Sequence, residues 1–423
     1  MNKNIKLAVA GAVLALSASA NAGIIMPAGD WTLDIGGNVN TFATSTRTSG
    51  RNVTGGGIYG ADVYGLNTTG ARTESNLTTG LLPNFLSVSG STRQNDLDVA
   101  FTISINPGSS TTVSGIQSAR QENRQAFMTF GDKSWGSIKI GKDIGVFASD
   151  AILNDMTLLG VGRGAGGLAG NTTTTGRIGS GFMYADWKNQ INYTTPNMNG
   201  FQATVGISQA WNAWSAAHDG DGSSGYSASS SGRGQSAPAV DFKASYSFAA
   251  NDVTGKIWTS ATRQRVKGLA TTNSGGTDAV TNGDDSAYAA DVGANVNVAG
   301  FGLTAYYYDG KGIGQTHQLL DGFASDGQRR DSDGGYVQAT YVLPTKTKLG
   351  AAWGQSNLDR ANASDGIGNT KDELWTVGAY HPLTKHLNLV AEYNHATHEV
   401  RKNDTANGEG KAKTVSLGAI LFF

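Results

Sequence analysis

The chain has 423 residues, including 59 Gly, only 7 Pro and no Cys, and charged residues make up 15% of it. A formal net charge of −1 provides no basic surface for nucleic acid. The lack of cysteine excludes a disulfide framework. Gly- and Ser/Thr-rich stretches recur along the whole chain instead of marking one or two linkers, which favours a single unit built from many short strands.

The N-terminal segment is typical of a secretory signal. Two lysines precede an apolar run from Leu7 to Leu16, and small residues with the sequence Ala20-Asn21-Ala22 follow it. The run is shorter than the about 18 residues that a membrane helix needs. We therefore predict a signal peptide over residues 1–22 and a single exported domain over residues 23–423.

From residue 31 onward, short segments alternate apolar residues with polar or small ones, as half-exposed strands do. Most have about the 9 to 11 residues of a tilted membrane strand. Sixteen such segments are predicted at 31–42, 77–88, 96–105, 122–131, 135–143, 187–195, 200–209, 239–248, 252–263, 286–298, 301–309, 335–343, 347–356, 373–381, 386–398 and 412–423.

The connections between these segments alternate in length. Short turns such as Asp132-Lys133-Ser134 and Ala299-Gly300 alternate with long connections, of which 144–186 is the longest. This pattern is typical of an outer-membrane barrel with short periplasmic turns and long extracellular loops. The predicted fold is therefore an all-β, sixteen-stranded antiparallel transmembrane barrel. Side chains cannot fill so wide a barrel, so its polar face should line a water-filled lumen.

The last strand supports this prediction. Val415, Leu417, Ala419, Leu421 and Phe423 share one face of an extended segment that ends the chain. A membrane barrel must pair its last strand with its first, because hydrocarbon offers no partner to unpaired backbone groups. We predict that Phe423 is an assembly signal. The alternative, an edge strand of a soluble β-sandwich, stays open on this segment alone.

Several segments resemble the general porins of Gram-negative bacteria. They are Asn123–Phe130, Trp135–Asp143, Asn192–Phe201, Val377–Lys385 and the terminal Phe423. The resemblance implies a homotrimer of sixteen-stranded barrels in the outer membrane, in contact with membrane lipid and lipopolysaccharide. It also implies that small hydrophilic solutes pass through each barrel, and that a third loop folds into each lumen and narrows it.

The chain also departs from that family. Its opening strand has Asp34-Ile35 where the family usually has an aromatic residue, and its 43–76 connection is long. The proline-glutamate-phenylalanine-glycine tip of some members is absent from the third loop. These departures bear on the preferred solute more than on the fold.

The long connection 144–186 is the predicted pore constriction. Its apolar residues should pack against the inner wall while its carboxylates face the channel, opposite cations of the wall. Opposed charges would create a transverse field that selects solutes by charge. The alternative is that these charges are only solvated lumen residues. Lys139, Lys243 and Lys256 have lumen parity, Lys142 ends its strand, and the face of Arg124 is ambiguous. The predicted constriction residues are Asp150, Asp155, Lys139, Lys142, Arg124, Lys243 and Lys256.

Three functions follow from these patterns. The first is passive diffusion of ions and small hydrophilic solutes, without a catalytic residue. The second is a channel specific for a sugar or an organic acid, with Trp258, Tyr306 and Tyr308 as a stacking track. The third, a barrel enzyme such as a lipase, is disfavoured because no Ser/His pair lies on adjacent strands with outward parity.

We expect no cofactor and no metal at the constriction. Two acidic segments, Asp219–Gly222 and Asp331–Gly334, could supply oxygen ligands to a structural calcium ion at an outer loop. Neither completes an EF-hand pattern. The ion selectivity does not follow from the whole-chain charge, because a filter acts through local charges.

Overall fold

The computed structural model describes residues 23–50, 73–108, 121–163, 173–213, 237–269, 283–324, 327–363, 365, 368–402 and 405–423. Within these ranges, helices are all too short or too polar to cross a membrane. The strands are β1 Ile24–Ala28, β2 Trp31–Gly50, β3 Thr73–Thr78, β4 Phe85–Gln94, β5 Leu97–Pro107, β6 Gln121–Glu122, β7 Ala126–Asp132, β8 Gly136–Ile144, β9 Trp187–Thr194, β10 Phe201–Ser208, β11 Ala239–Ala250, β12 Val253–Leu269, β13 Gly283–Val298, β14 Phe301–Lys311, β15 Asp331–Val342, β16 Lys348–Leu358, β17 Asn369–Pro382, β18 Leu387–Lys402 and β19 Thr405–Phe422. The third long connection contains the helix α1, Ser149–Asn154, and a 3₁₀ helix, Met156–Leu159.

These nineteen segments occupy sixteen positions in one closed antiparallel sheet. β3 and β4 both pair with β2 at different heights, and β6 and β7 pair in the same way with β5. β1 pairs with the first residues of β2, beyond the end of β19. Because β19 also pairs with β2, the ring closes, and the predicted sixteen-stranded all-β barrel is confirmed.

The predicted strands differ from the observed ones mainly at their outer ends. β2 continues to Gly50 instead of residue 42, and β19 begins at Thr405 instead of residue 412. Gly50 still pairs with Gly410 there. Alternation of apolar and polar residues indicates a strand only where one of its faces meets lipid. These extensions are polar on both faces, so the sequence pattern did not reveal them as strands.

The predicted strand 77–88 is wrong as a continuous strand. Residues 79–84 leave the wall and are buried, which separates β3 from β4. Two asparagines of β2 bind the displaced backbone: Asn38 donates to Pro83 O over 2.8 Å, and Asn40 donates to Leu82 O over 2.9 Å. The side chains of β2 therefore replace part of the missing strand ladder.

One short turn shows how the sequence sets the hairpin register. β4 and β5 are joined by Asn95 and Asp96, whose φ angles are 49° and 63°. A two-residue hairpin loop of type I′ needs positive φ at both central positions, and Asn and Asp tolerate it best after glycine. The tight turn keeps Gln94 opposite Leu97.

The outer face of the barrel is apolar and the inner face is mostly polar. On β19, Leu417 is 59% exposed on the outside, whereas its neighbours Ser416 and Thr414 are buried inside. On β14, Leu303 points outward and Thr304 inward in the same way. A closed wall that exposes its large apolar side chains requires hydrocarbon around it, as in a membrane barrel.

The C-terminal residue completes the ring. Gly37 N donates to Phe423 O over 2.8 Å, and Phe423 N donates to Gly37 O over 3.1 Å. A Cβ at position 37 would lie 2.2 Å from Phe85 O and 2.9 Å from Cζ of the Phe423 ring. The terminal ring therefore sits against a wall position that only glycine fits.

Deletion of Phe423 should impair assembly, because it removes both backbone hydrogen bonds at this end of the seam. The measurement is the amount of heat-modifiable, folded barrel in isolated outer membranes. Phe423→Tyr is the matched control, since it keeps the backbone pair and the ring, and it should assemble normally. Normal membrane levels of the deletion variant would contradict the assignment.

Candidate pore constriction

The third long connection, described over 145–163 and 173–186, lies inside the barrel. Its apolar side chains pack in one cluster with inward-facing residues of the wall. Leu158 and Leu159 are buried there, and Leu153 packs against the cluster from a half-buried position. The buried loop members include Phe147, Ile152, Met156, Ile178 and Phe182, and the wall members include Phe42, Trp258, Tyr306, Tyr336 and Tyr380.

Hydrogen bonds attach the helical part of this loop to the wall. Tyr336 on β15 donates its hydroxyl to Ala151 O over 2.8 Å. Gln338 on the same strand accepts from Met156 N over 2.7 Å. Ala148 N donates to Ser260 Oγ on β12 over 3.1 Å. The loop is therefore fixed to two separate strands of the barrel.

Glu392 on β18 binds the loop from another part of the wall. Its Oε2 accepts from Val161 N and Gly162 N, each over 2.9 Å, and its Oε1 accepts from Tyr380 OH over 2.7 Å. The side chain is buried. The sequence analysis missed Glu392, although an acidic residue of inward parity between Val390 and Asn394 could have indicated it.

Asp155, one of the predicted constriction residues, lies within the packed loop. Its carboxylate accepts from Thr157 N over 3.1 Å and so caps the 3₁₀ helix. The Arg177 Nε lies 3.5 Å from its Oδ1, and both side chains are fully buried. Arg177 also donates to Leu374 O over 2.9 Å on β17. This ion pair joins two parts of the loop to the wall and does not face water.

Asp150, in the first turn of α1, meets two lysines of the wall. Lys243 Nζ on β11 lies 3.2 Å from its Oδ2, and Lys256 Nζ on β12 bonds its Oδ1. Lys243 also donates to Ser149 Oγ over 3.2 Å. Burial alone would raise the pKa of Asp150, but the two ammonium groups lower it below its ordinary range. The carboxylate therefore stays ionised at neutral pH.

The other predicted cations lie in three different places. Lys139 on β8 points inward, bonds Asp143, and holds its ammonium 4.8 Å from the Phe127 ring centroid. Lys142 has outward parity and donates to Asn123 O over 2.7 Å. Arg124 is buried and forms a 2.8 Å ion pair with Glu122. The structure thus brings together Asp150, Lys243 and Lys256, places Lys139 on the same inner wall, and separates Lys142 and Arg124 from them.

The accessible and the buried charges at this site have opposite signs. The side chains of Lys139, Lys243 and Lys256 remain 27%, 25% and 33% exposed. Their partners Asp143 and Asp150 are only 2% and 5% exposed. The open space beside the loop is therefore bordered by ammonium groups, with the carboxylates behind them.

The aromatic side chains predicted to form a stacking track are buried. Trp258 is 2% exposed, Tyr306 is 5% exposed, and Tyr308 is fully buried beneath the loop. Tyr306 donates its hydroxyl to Asp291 Oδ2 over 3.1 Å. The prediction of an accessible track is therefore wrong, since inward parity does not reveal whether a loop covers the side chain.

A second connection also packs inward, against the third loop. Residues 312–324 follow β14, and Thr316 O accepts from Tyr184 N over 2.9 Å. Gln318 Oε1 accepts from Lys188 Nζ over 2.6 Å. Ile313 and Leu319 are buried in the same apolar cluster as the third loop. Because the predicted strands ended at 309 and resumed at 335, the sequence analysis left 310–334 as one of the long outer connections, although its apolar residues carried the same signal as those of the third loop.

One of the two acidic segments considered for calcium is described. Asp331 forms a 2.7 Å ion pair with Lys311, and Asp333 accepts from Asn357 Nδ2 over 3.1 Å. The segment Asp219–Gly222 lies outside the described residues. Within the described residues, His, Asp and Glu side chains do not converge in groups of three or more that could hold a metal ion.

Replacement of Glu392 by Ala should loosen the loop, because Val161 and Gly162 would lose their shared acceptor. Hydrogen bonds to charged groups contribute about 1.5–3 kcal/mol each, so amide exchange of these two residues should accelerate by roughly tenfold or more. Mass-spectrometric hydrogen exchange of the purified barrel measures it. Glu392→Gln, which keeps one acceptor oxygen, should give an intermediate rate, and equal rates in all three proteins would contradict this role.

Comparisons with known proteins agree with this architecture. The outer membrane channel DcaP of Acinetobacter baumannii is 18% identical with a TM-score of 0.65, over 95% of this chain and 100% of that one. The anion-selective porin from Comamonas acidovorans is 14% identical with a TM-score of 0.55, over 93% of this chain and 100% of that one. A sequence search of curated proteins found no relative. A family model described as Gram-negative porin matches residues 7–401, and the chain therefore belongs to this outer-membrane family.

Proposed function

We propose that this barrel is a passive diffusion channel for ions and small hydrophilic solutes across the outer membrane. Family membership supports the channel class, and the observation that supports the mechanism is the set of three partly exposed wall lysines, two of which bond the fixed loop. No residue is assigned a catalytic role. The protein acts by offering a hydrated path with an electrostatic filter.

The inner wall near the short turns has the chemistry of such a path. Its inward side chains carry hydroxyl and amide groups that exchange hydrogen bonds with water and with hydrated solutes. These hydroxyl and amide groups are uncharged, so each of their contacts is weak, and charged side chains of the same wall, such as Asp34 and Lys256, lie among them. The uncharged groups include Ser87, Ser89, Ser137, Thr194, Thr204, Ser245 and Asn295.

The charges at the constriction support a preference for anions. The three ammonium groups of Lys139, Lys243 and Lys256 are opposed by the two carboxylates of Asp143 and Asp150, which leaves one net positive charge. Since the carboxylates are buried, a passing ion meets the lysines first. Lysine-lined constrictions favour anions over cations.

A channel specific for organic acids is the second candidate, because the same three lysines could bind a carboxylate. Such a channel would show saturable block by one acid. A sugar-specific channel has less support, since Trp258 and Tyr306 are buried.

The proposed assembly is a homotrimer in contact with outer-membrane lipid. Support comes from the porin family and from a trimer form of Vibrio cholerae OmpT, which is 13% identical with a TM-score of 0.54 over 93% of this chain. Mass measurement of the detergent-purified protein by light scattering tests it. A monomeric mass would contradict the trimer and leave the channel proposal intact.

Two substitutions at the constriction should shift ion selectivity in opposite directions. Asp150→Asn leaves Lys243 and Lys256 without their carboxylate, so the channel should become more anion-selective. Lys139→Gln removes an accessible cation and should make it less so. The measurement is the reversal potential in a planar bilayer under a salt gradient.

Lys142→Gln is the matched control, because it removes the same charge from the same strand on the outward side. It should leave the reversal potential unchanged. A shift of Asp150→Asn toward cations, or an equal effect of Lys142→Gln and Lys139→Gln, would contradict the proposed filter. The absence of ohmic single-channel steps in the wild-type protein would contradict the diffusion channel itself.

A further inference from the structure

A further lysine, Lys348, lies on the inner wall away from the three described above. It is the first residue of β16, and its partner across the ladder is Tyr380, whose side chain is buried in the apolar cluster of the third loop. The Lys348 ammonium lies 5.1 Å from the centroid of the Tyr380 ring. The side chain is half-buried, so its stem covers the wall while its ammonium borders the lumen.

Lys348 has no carboxylate within ion-pair distance among the described residues, whereas the other three lysines each bond one. The nearby carboxylates are engaged elsewhere. Asp155 lies 3.5 Å from Arg177, and Glu392 accepts two amide N–H groups of the loop and the hydroxyl of Tyr380. The positive charge of Lys348 is therefore not neutralised by this part of the chain.

The strand that carries Lys348 complements the strands of two other lysines. Lys139 is on β8, Lys256 is on β12 and Lys348 is on β16. These strands hold the fifth, ninth and thirteenth of the sixteen positions, counted from β2. Successive members are thus a quarter of the circumference apart, and the three side chains enter the lumen from three different sides.

Strand tilt decides which residues of distant strands lie at one level. Hydrogen-bonded pairs run perpendicular to the tilted strands, so a line of successive pairs climbs round the barrel. The line that begins at Val253, beside a short turn, reaches Leu417 on β19 and Ala43 on β2, far from the short turns. At a tilt of about 40° and a spacing of about 4.8 Å, the climb over four strands corresponds to about 16 Å, or roughly five residues, along a strand.

With this climb taken into account, the three lysines lie at nearly one level. The line of pairs from Lys256 reaches Ala352 on β16, four residues above Lys348. The line from Lys139 reaches Thr262 on β12, six residues above Lys256. Both offsets match the expected climb to within about one residue.

The wall between β12 and β16 at this level is uncharged and offers hydrogen bonds. Asn295 is the ladder partner of Lys256, and Asn297 donates to Asn295 Oδ1 over 2.6 Å. A Cβ on Gly302 would lie 2.6 Å from Thr340 Oγ1 and 2.8 Å from Asn297 Oδ1, so both side chains lie over this glycine. Amide and hydroxyl groups therefore line the way from one lysine to the next.

We propose that Lys348 is a specificity-determining residue of the channel, an unneutralised cation that completes a level of three lysines. The inference rests on the proposed diffusion channel and adds a second side of the lumen to its filter. An anion at this level meets ammonium groups from three sides, and Lys348 attracts it without an opposing carboxylate. On the fourth side, β2 presents the inward carboxylate of Asp34, which repels anions toward the lysines.

Replacement of Lys348 by Gln should lower the preference for anions. A unit charge about 5–10 Å away in water changes the local concentration of a monovalent ion roughly two- to fourfold. The ratio of chloride to potassium permeability should therefore fall roughly twofold or more, as measured by the reversal potential of the purified full-length protein in a planar bilayer under a KCl gradient. Lys348→Arg keeps the charge and should keep the wild-type ratio.

Chemical modification separates the charge of Lys348 from its packing on Tyr380. The chain has no cysteine, so Lys348→Cys provides a single reactive site. Aminoethyl methanethiosulfonate restores a cation there and should raise the anion preference. Sulfonatoethyl methanethiosulfonate adds an anion of similar size and should lower it. Shifts in the same direction with both reagents, or no shift with either, would overturn the proposal.

Lys346→Gln is the matched control, because it removes the same charge from the exposed turn of the same hairpin, where salt screens it. Its permeability ratio should stay close to that of the wild type. Heat-modifiable electrophoresis checks that each variant is a folded barrel. Equal effects of Lys346→Gln and Lys348→Gln would contradict a local role of Lys348.

The outcome also distinguishes this inference from the proposed function. If Lys139→Gln changes the permeability ratio and Lys348→Gln does not, the role of Lys348 is refuted and the channel with its filter at the loop remains. If the wild-type protein gives no ohmic steps at all, the diffusion channel itself fails, and the role of Lys348 fails with it.

Discussion

Every backbone N–H and C=O of this chain that lies in hydrocarbon must be hydrogen-bonded within the protein, and the remaining architecture depends on that constraint. The seam between β19 and β2 meets it, since pairing continues from Gly410 to Phe422 and ends with the two bonds between Gly37 and Phe423. Closure with sixteen strands then creates an interior too wide for wall side chains to fill. The long third connection occupies part of that space.

The loop can occupy the interior only because its buried polar groups find hydrogen-bond partners and opposite charges there. Its apolar side chains meet the inward aromatics of the wall, while its backbone amides at Val161 and Gly162 find Glu392. The buried charges of Asp155 and Arg177 neutralise each other. An unpaired charge at either place would cost several kcal/mol, so these residues fix the loop position. That position decides which side of the lumen remains open to water.

The sequence predicted the wall well and the loop poorly, for a physical reason. Period two follows from the chemistry of two faces, lipid and water, so strands such as β14 and β19 were recognisable from local residues. Asp155 and Asp150 look alike in sequence. In the structure, however, Asp155 meets Arg177 of the same loop, whereas Asp150 meets Lys243 of the barrel wall. That difference depends on tertiary packing, which cannot be inferred from the alternation of inward and outward residues along a strand. The break at 79–84 was missed for a similar reason, because Asn38 and Asn40 replace the ladder from a neighbouring strand.

The sign of the accessible charge at the proposed constriction follows from the lengths of its side chains more than from their number. A lysine has a four-carbon stem and can reach a carboxylate while it keeps part of its ammonium in water. An aspartate on a packed helix cannot, since its carboxylate stays close to the backbone of α1. In each of these lysine–aspartate pairs the carboxylate is thus the buried partner, and in the proposed channel the lysine is the one that a solute would meet. Near-neutral charge over the whole chain is therefore compatible with a positive path, and Asp150 holds the loop in place without making that path acidic.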